Sequence, residues 1–320
     1  VVALAAYRPT RSMAFRSKEY NMPLPILIAS AEDVKSFQPC VTVISGPPGS
    51  GKTTAAATWP RPLAFDFERG MKYIMVQDEN GERTPIPRIQ LPLEIMTAPR
   101  NRMESILNWL VDCLKELADQ QTSQFSTLIF DTLDELWRQI SEAFMFDKGL
   151  KALEPRDHYI PIYNQLLPFM QTVFQMEAWG YHVVLVCHTA DKEPESGTLP
   201  VHRLTIPGKV SEMVQNLPDE MFWLAPDFPS KEAMKEAEDK GFEIEQQPNR
   251  FLCQFSHRHP SKDRSGLLPR FTPATFQAVD AAFRGEDPTQ PQYQPQIGVV
   301  QGKRMRTKGA ALGLGRKKSR

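Results

Sequence analysis

Residues 46–53 read Gly-Pro-Pro-Gly-Ser-Gly-Lys-Thr, a full G-x-x-x-x-G-K-[ST] string, and its residue types suit the handling of a polyphosphate. Gly46, Gly49 and Gly51 permit the dihedrals that turn backbone N–H groups inward around phosphate oxygens, and Pro47, Pro48 and Ser50 complete the loop. Lys52 can reach the β- and γ-phosphates, the Thr53 hydroxyl can ligate Mg²⁺, and Thr54 closes the nucleotide-contacting set. The chemistry expected here is binding and hydrolysis of ATP with Mg²⁺.

Such a loop needs a strand to deliver it and a helix to follow. Val41-Thr42-Val43-Ile44 is β-branched and reads as a short buried strand, and Ala55-Ala56-Ala57 favours a helix. That helix would add its N-terminal N–H groups and the positive end of its dipole. A second strand must end in a carboxylate to hold the metal. Thr127-Leu128-Ile129-Phe130-Asp131 fits, although Asp131 would also serve as N-cap of a helix starting at Thr132. Many P-loop ATPases carry a water-activating Glu directly after that Asp, but Thr132 occupies the position here. Glu68, at the end of Phe65-Asp66-Phe67-Glu68, is the alternative base, with Asp66 its competitor.

With these residues in view, a resemblance becomes specific. Phe-Asp-x-Glu after the second strand and Asp-Thr after the third resemble the RecA/RadA-type ATPase core, in which that Glu polarises the attacking water. Gly-Pro-Pro-Gly-Ser-Gly-Lys-Thr-Thr, Pro-Leu-Ala-Phe-Asp-Phe-Glu-Arg-Gly, Leu-Ile-Phe-Asp-Thr-Leu and Val-Leu-Val-Cys-His-Thr resemble phage-encoded nucleotide-binding AAA-domain proteins, among them RecA-like single-strand annealing ATPases. The resemblance spans about residues 38 to 270. It implies a RecA-like α/β fold, a mostly parallel central sheet with helices on both faces. It also places the strand ending in His188 between those of the phosphate loop and Asp131, where a polar side chain can hydrogen-bond the γ-phosphate and report its loss. RecA itself has an amide residue there. Lys262-Asp263-Arg264-Ser265-Gly266 resembles the segment with which RecA-like hexameric helicases insert a Lys and an Arg into the neighbour's ATP site, as against an ordinary charged turn. The trans role requires a homo-oligomer.

The elements around these motifs can be placed in order. Residues 1–38 read as an N-terminal extension and 39–285 as the ATPase domain. Residues 286–320, rich in Pro, Gln, Lys and Arg, read as a disordered basic tail. Within the domain, helices are expected over 101–119, from Thr132 to about 146, and over 159–179 with Pro168 as a kink. Further strands are expected at 181–188, 220–224 and 250–255. Residues 148–158 read as a mobile loop, 190–207 as an excursion or hairpin, 230–240 as a charged helix, and Thr272 or Thr275 as cap of a last helix ending near Phe283. Cys253, His257 and His259 would share one face of a continued strand as zinc ligands do, but no fourth ligand is apparent and Pro260 ends the run.

Composition bounds the remainder. The 320 residues carry 38 basic and 38 acidic side chains, but eight of the basic and none of the acidic lie in residues 288–320. The body is therefore acidic, and the tail is suited to contacting DNA phosphates without sequence preference. Four widely spaced cysteines suit reduced, buried thiols in the cytoplasm, and no apolar run approaches a membrane span. The resemblance implies single-stranded DNA as partner, in recombination, annealing or replication in a bacterial host's cytoplasm, with a single-strand-binding or replication protein as a further partner. The alternatives are a loader or remodeller of a protein partner and, with no acceptor pocket legible, a small-molecule phosphotransferase.

Overall fold

The computed structural model of the chain describes residues 36–77, 83–119, 124–192, 201–225 and 249–293. The first half runs β1 (Val41–Gly46), α1 (Lys52–Ala56), β2 (Pro62–Asp66), β3 (Met75–Gln77), β4 (Arg83–Pro85), β5 (Arg88–Ile89), α2 (Leu93–Met96), α3 (Arg102–Asp119), β6 (Thr127–Asp131) and α4 (Leu133–Lys148). There follow α5 (Pro155–Gln175), β7 (His182–Lys192), β8 (Val201–Leu204), α6 (Gly208–Asn216), β9 (Glu220–Ala225), β10 (Arg250–Leu252), β11 (Lys262–Asp263), β12 (Phe271–Pro273) and α7 (Phe276–Phe283).

The main sheet has the order β12-β10-β9-β1-β7-β6-β2-β5. From β9 to β5 every pairing is parallel, and β10, β11 and β12 add antiparallel strands at the β9 edge. All residues of β1, β2 and β6 are buried, so both faces of the sheet must be covered. Alternate side chains go to opposite cores. Val43, Phe65, Phe130, Leu185 and Met221 pack with α3, α4, α5 and α6, whereas Ile44, Ala64, Ile129, Val184 and Phe222 pack with α1 and α7. Small residues on that second face, Ala55 and Ala56 of α1 and Ala282 of α7, let the short helices lie close. Phe37 closes this core, its ring 4.8 Å from Phe283 and its N–H on Asp280 Oδ1.

Register then levels the site. Gly46 pairs with His188, Val186 with Asp131, and Asp131 with Asp66, so the C-terminal ends of four parallel strands meet at one edge of the sheet. As expected, β7 lies between β1 and β6.

Four elements differ from the sequence reading. Helix α5 starts at Pro155, where a missing N–H costs nothing in the first turn, so the loop expected over 148–158 is confined to 149–154. The fourth strand continues past His188 to Lys192 and pairs with β8, Thr189 opposite Leu204. Helix α6 was not anticipated; with Pro207 as its N-cap and Pro218 just beyond its end, it buries Val210, Met213 and Val214 on one face. Strand β10 ends at Leu252 rather than 255. The extension up to residue 35, the helix near 230–240 and the basic tail beyond residue 293 lie outside the described residues.

Candidate active site

Three contacts set the shape of the phosphate loop. A side chain at Gly46 would press on Ser50 Oγ at 3.0 Å and on the Leu224 carbonyl at 3.1 Å, and Gly51 sits at φ 89° with Asn249 Nδ2 only 2.9 Å from where a Cβ would be. Asn249 in turn donates to the Ser50 carbonyl at 2.6 Å, which ties the loop to β10. Lys52 is buried and its Nζ donates to the Pro47 carbonyl at 2.8 Å. Burial pulls its ammonium below the usual lysine range, and the carboxylates of Asp131 and Glu68 oppose that shift. Helix α1 is five residues long, so few aligned peptide units add to its dipole.

At the end of β6, Asp131 Oδ2 accepts from Thr53 Oγ1 at 3.1 Å, while its Oδ1 is buried without a partner among the described residues. Burial first, then the charge of Glu68, pushes this carboxyl up to about 7. A buried carboxylate beside a hydroxyl, with one oxygen unmatched, fits a divalent cation, and Thr53 and Asp131 are the residues that would hold Mg²⁺. The helix cap falls to Thr132, not Asp131: Thr132 Oγ1 accepts from the Glu135 N–H at 3.3 Å.

That same hydroxyl donates to Glu68 Oε1 at 2.7 Å. His188 Nε2 lies 2.9 Å from the same oxygen, and an ionised carboxylate only accepts, so the imidazole is the donor. These two bonds, with the His188 bond the stronger influence, hold Glu68 below the usual glutamate range despite its partial burial. His188 is fixed by its backbone, whose N–H donates to Asp134 Oδ2 at 2.6 Å; Thr205 donates to the other Asp134 oxygen and, through its N–H, to the His188 carbonyl. Asp66, the competing base, is buried and accepts from the Met71 N–H and from Gln90 Nε2, so it braces the turn after β2. A cleft of about 440 Å³ opens beside Glu68, lined by Gln90, Glu135, Arg138 and Gln139 among others, and does not include the phosphate loop.

Lys262 and Arg264 are not part of this constellation within one chain. Lys262 pairs with Met221 and Asp263 with Glu220, which faces Thr42 at the start of β1, so this segment lies at the opposite end of the sheet. Lys262 Nζ donates to the Gln215, Asn216 and Pro218 carbonyls at the end of α6, and Arg264 pairs with Asp219 at 3.0 Å. Nor do Cys253, His257 and His259 share a strand face: β10 stops short of them, Cys253 is buried beside Thr272, His257 meets Phe255, and His259 stacks on Trp223.

A sequence profile described as an AAA domain matches residues 38–264, more than half of the chain. The chain belongs to this AAA-domain family. Its fold is the RecA-like P-loop NTPase fold, and its phosphate loop is a nucleotide site of that family. Similar solved structures include a KaiC-like protein from the hyperthermophilic archaeon Pyrococcus horikoshii, at 13% identity over 69% of this chain and 81% of that one with a TM-score of 0.33. Another is the genome packaging NTPase of Sulfolobus turreted icosahedral virus 2 in complex with ATP-gammaS, at 10% identity over 67% and 91% with a TM-score of 0.27. No curated protein sequence matches the chain. Among the described residues no helix is long and apolar enough to cross a membrane.

Residue reasoning missed Asn249, Asp134 and Thr205. The sequence reading gives Thr132 only as the start of a helix and as the residue that stands where a Glu is common. Thr132-x-x-Glu135 has the spacing of a capping box, the one signal that would have revealed its role.

Proposed function

We propose that this protein binds ATP with Mg²⁺ and hydrolyses it, and that turnover is coupled to single-stranded DNA in annealing, recombination or replication. The observation that carries the hydrolytic part is Glu68, an ionised carboxylate aimed by Thr132 and His188 at the strand ends that flank the phosphate loop. Glu68 orients a water and accepts its proton as the γ-phosphoryl group transfers, and Lys52 exchanges the Pro47 carbonyl for phosphate oxygens. Bound Mg²⁺ neutralises phosphate charge. His188, one hydrogen bond from the base, senses whether the γ-phosphate is present. The DNA part rests on the motif resemblance and on the basic tail. The protein assembles with copies of itself, Lys262 and Arg264 reaching the neighbour's ATP site, and remains in the cytoplasm.

The test is ATP turnover with and without oligo(dT). We expect turnover that oligo(dT) raises and salt suppresses; turnover indifferent to DNA but raised by a protein partner would point to a loader instead. The cleft beside Glu68 favours a second reading, transfer to an acceptor other than water. Release of one phosphate per ADP with no acceptor added would dismiss it.

A further inference from the structure

The connection from β10 to β11 contains no acidic residue from Gln254 to Lys262 and holds a large ring out to solvent. Phe255 is 73% exposed, His257 stands edge-on to it at 4.9 Å, and Arg258 beside them is exposed too. Fraying does not explain the exposure, because the loop is pinned on every side. His259 stacks on Trp223 at 4.0 Å and on His202 at 4.6 Å. The His202 N–H donates to the Arg258 carbonyl at 2.8 Å, and its Nδ1 lies 2.6 Å from Asp191. Ser261 Oγ closes the base of the loop on the Gln254 carbonyl at 2.7 Å.

The loop also touches β1 directly and reaches β7 through β8. Ser45, the residue before Gly46, donates to the Pro260 carbonyl at 3.3 Å, and His202 belongs to the strand paired with the continuation of β7 beyond His188. We infer that this loop is the contact for single-stranded nucleic acid, with Phe255 as the platform for a base and His257 and Arg258 facing the backbone phosphates. A partner protein with an apolar surface would meet a broad greasy patch; here the ring stands among Gln254, Ser256, His257 and Arg258. The inference rests on the proposed coupling to a single strand.

The experiment is fluorescence anisotropy of labelled oligo(dT) and oligo(U) with the full chain, Mg²⁺ and a non-hydrolysable ATP analogue. Phe255→Ala should weaken binding about 5- to 100-fold and Phe255→Tyr should restore it, since stacking needs only a ring face. DNA-free ATP turnover should be unchanged in both. Arg258→Gln should reduce the slope of log affinity against log salt by about 0.7. If the parent binds neither oligonucleotide, the proposed coupling fails and this inference with it. If the parent binds and Phe255→Ala binds equally well, the loop assignment alone is wrong. A fall in solution mass with unchanged affinity would make the loop a contact between copies, and would also overturn it.

Discussion

Thr132 shows how much one hydroxyl does here. It caps α4 and donates to Glu68, so the residue that stands in place of a second carboxylate serves the carboxylate that is present. Thr132→Val keeps the shape and removes both bonds. We expect it to lose about 1 kcal/mol of stability in urea denaturation, the usual worth of a cap, and to slow ATP turnover, whereas Thr132→Ser should restore both. Glu68→Gln keeps the acceptor for Thr132 and His188 but cannot take a proton. Turnover should fall by about 100-fold or more while nucleotide affinity, read by equilibrium binding, stays within a few-fold. Unchanged turnover in that variant would remove Glu68 as the base. Lys52→Ala should abolish turnover through lost phosphate contact.

Strand β9 buries a carboxyl at the end of the sheet away from the phosphate loop. Glu220 is 3% exposed, its Oε2 has no partner among the described residues, and it lies beside β11 near Asp263. Burial, reinforced by Asp263, pushes its carboxyl up to about 8. In the unfolded chain the group loses its proton near the ordinary glutamate value, so its contribution to stability is full below that value and declines as pH rises to about 8. Glu220→Gln carries no charge. Its thermal midpoint should match the parent near pH 4.5 and exceed it by on the order of several degrees at pH 8.5. At this scale the sequence was most legible: β1, β2 and β6 and the part of β7 before His188 are mostly apolar runs, because a strand buried on both faces takes few polar residues, and the functional candidates Gly46, Asp66, Asp131 and His188 level with one another where those runs stop. What stayed hidden was contact across the chain. Asn249 holds the phosphate loop from 199 residues away and Thr205 meets Asp134 across 71, and no local pattern encodes either pairing. Helix α6 was missed because its nine residues show barely two turns of periodicity.

For the whole molecule, the distance between the two ends of the sheet matters most. One chain cannot bring Lys262 and Arg264 to its own phosphate loop, since they sit at the start of β9 and the loop leaves the end of β1. Two chains can. In this chain Arg264 is half exposed and its pairing with Asp219 is a surface ion pair, worth about 1 kcal/mol or less, so a neighbour's phosphates can compete for it. Arg264→Ala should therefore fold normally by circular dichroism yet lose ATP turnover. Mixed with Lys52→Ala, it should regain activity: its intact phosphate loop then faces an intact Arg264 on the other variant at about one interface in four of an equimolar, randomly assembled mixture. Turnover near a quarter of the parent's, rising and falling with the mixing ratio, is the expected result. An inactive mixture that still co-assembles would assign Lys262 and Arg264 to holding the end of α6, the role their hydrogen bonds already describe within one chain.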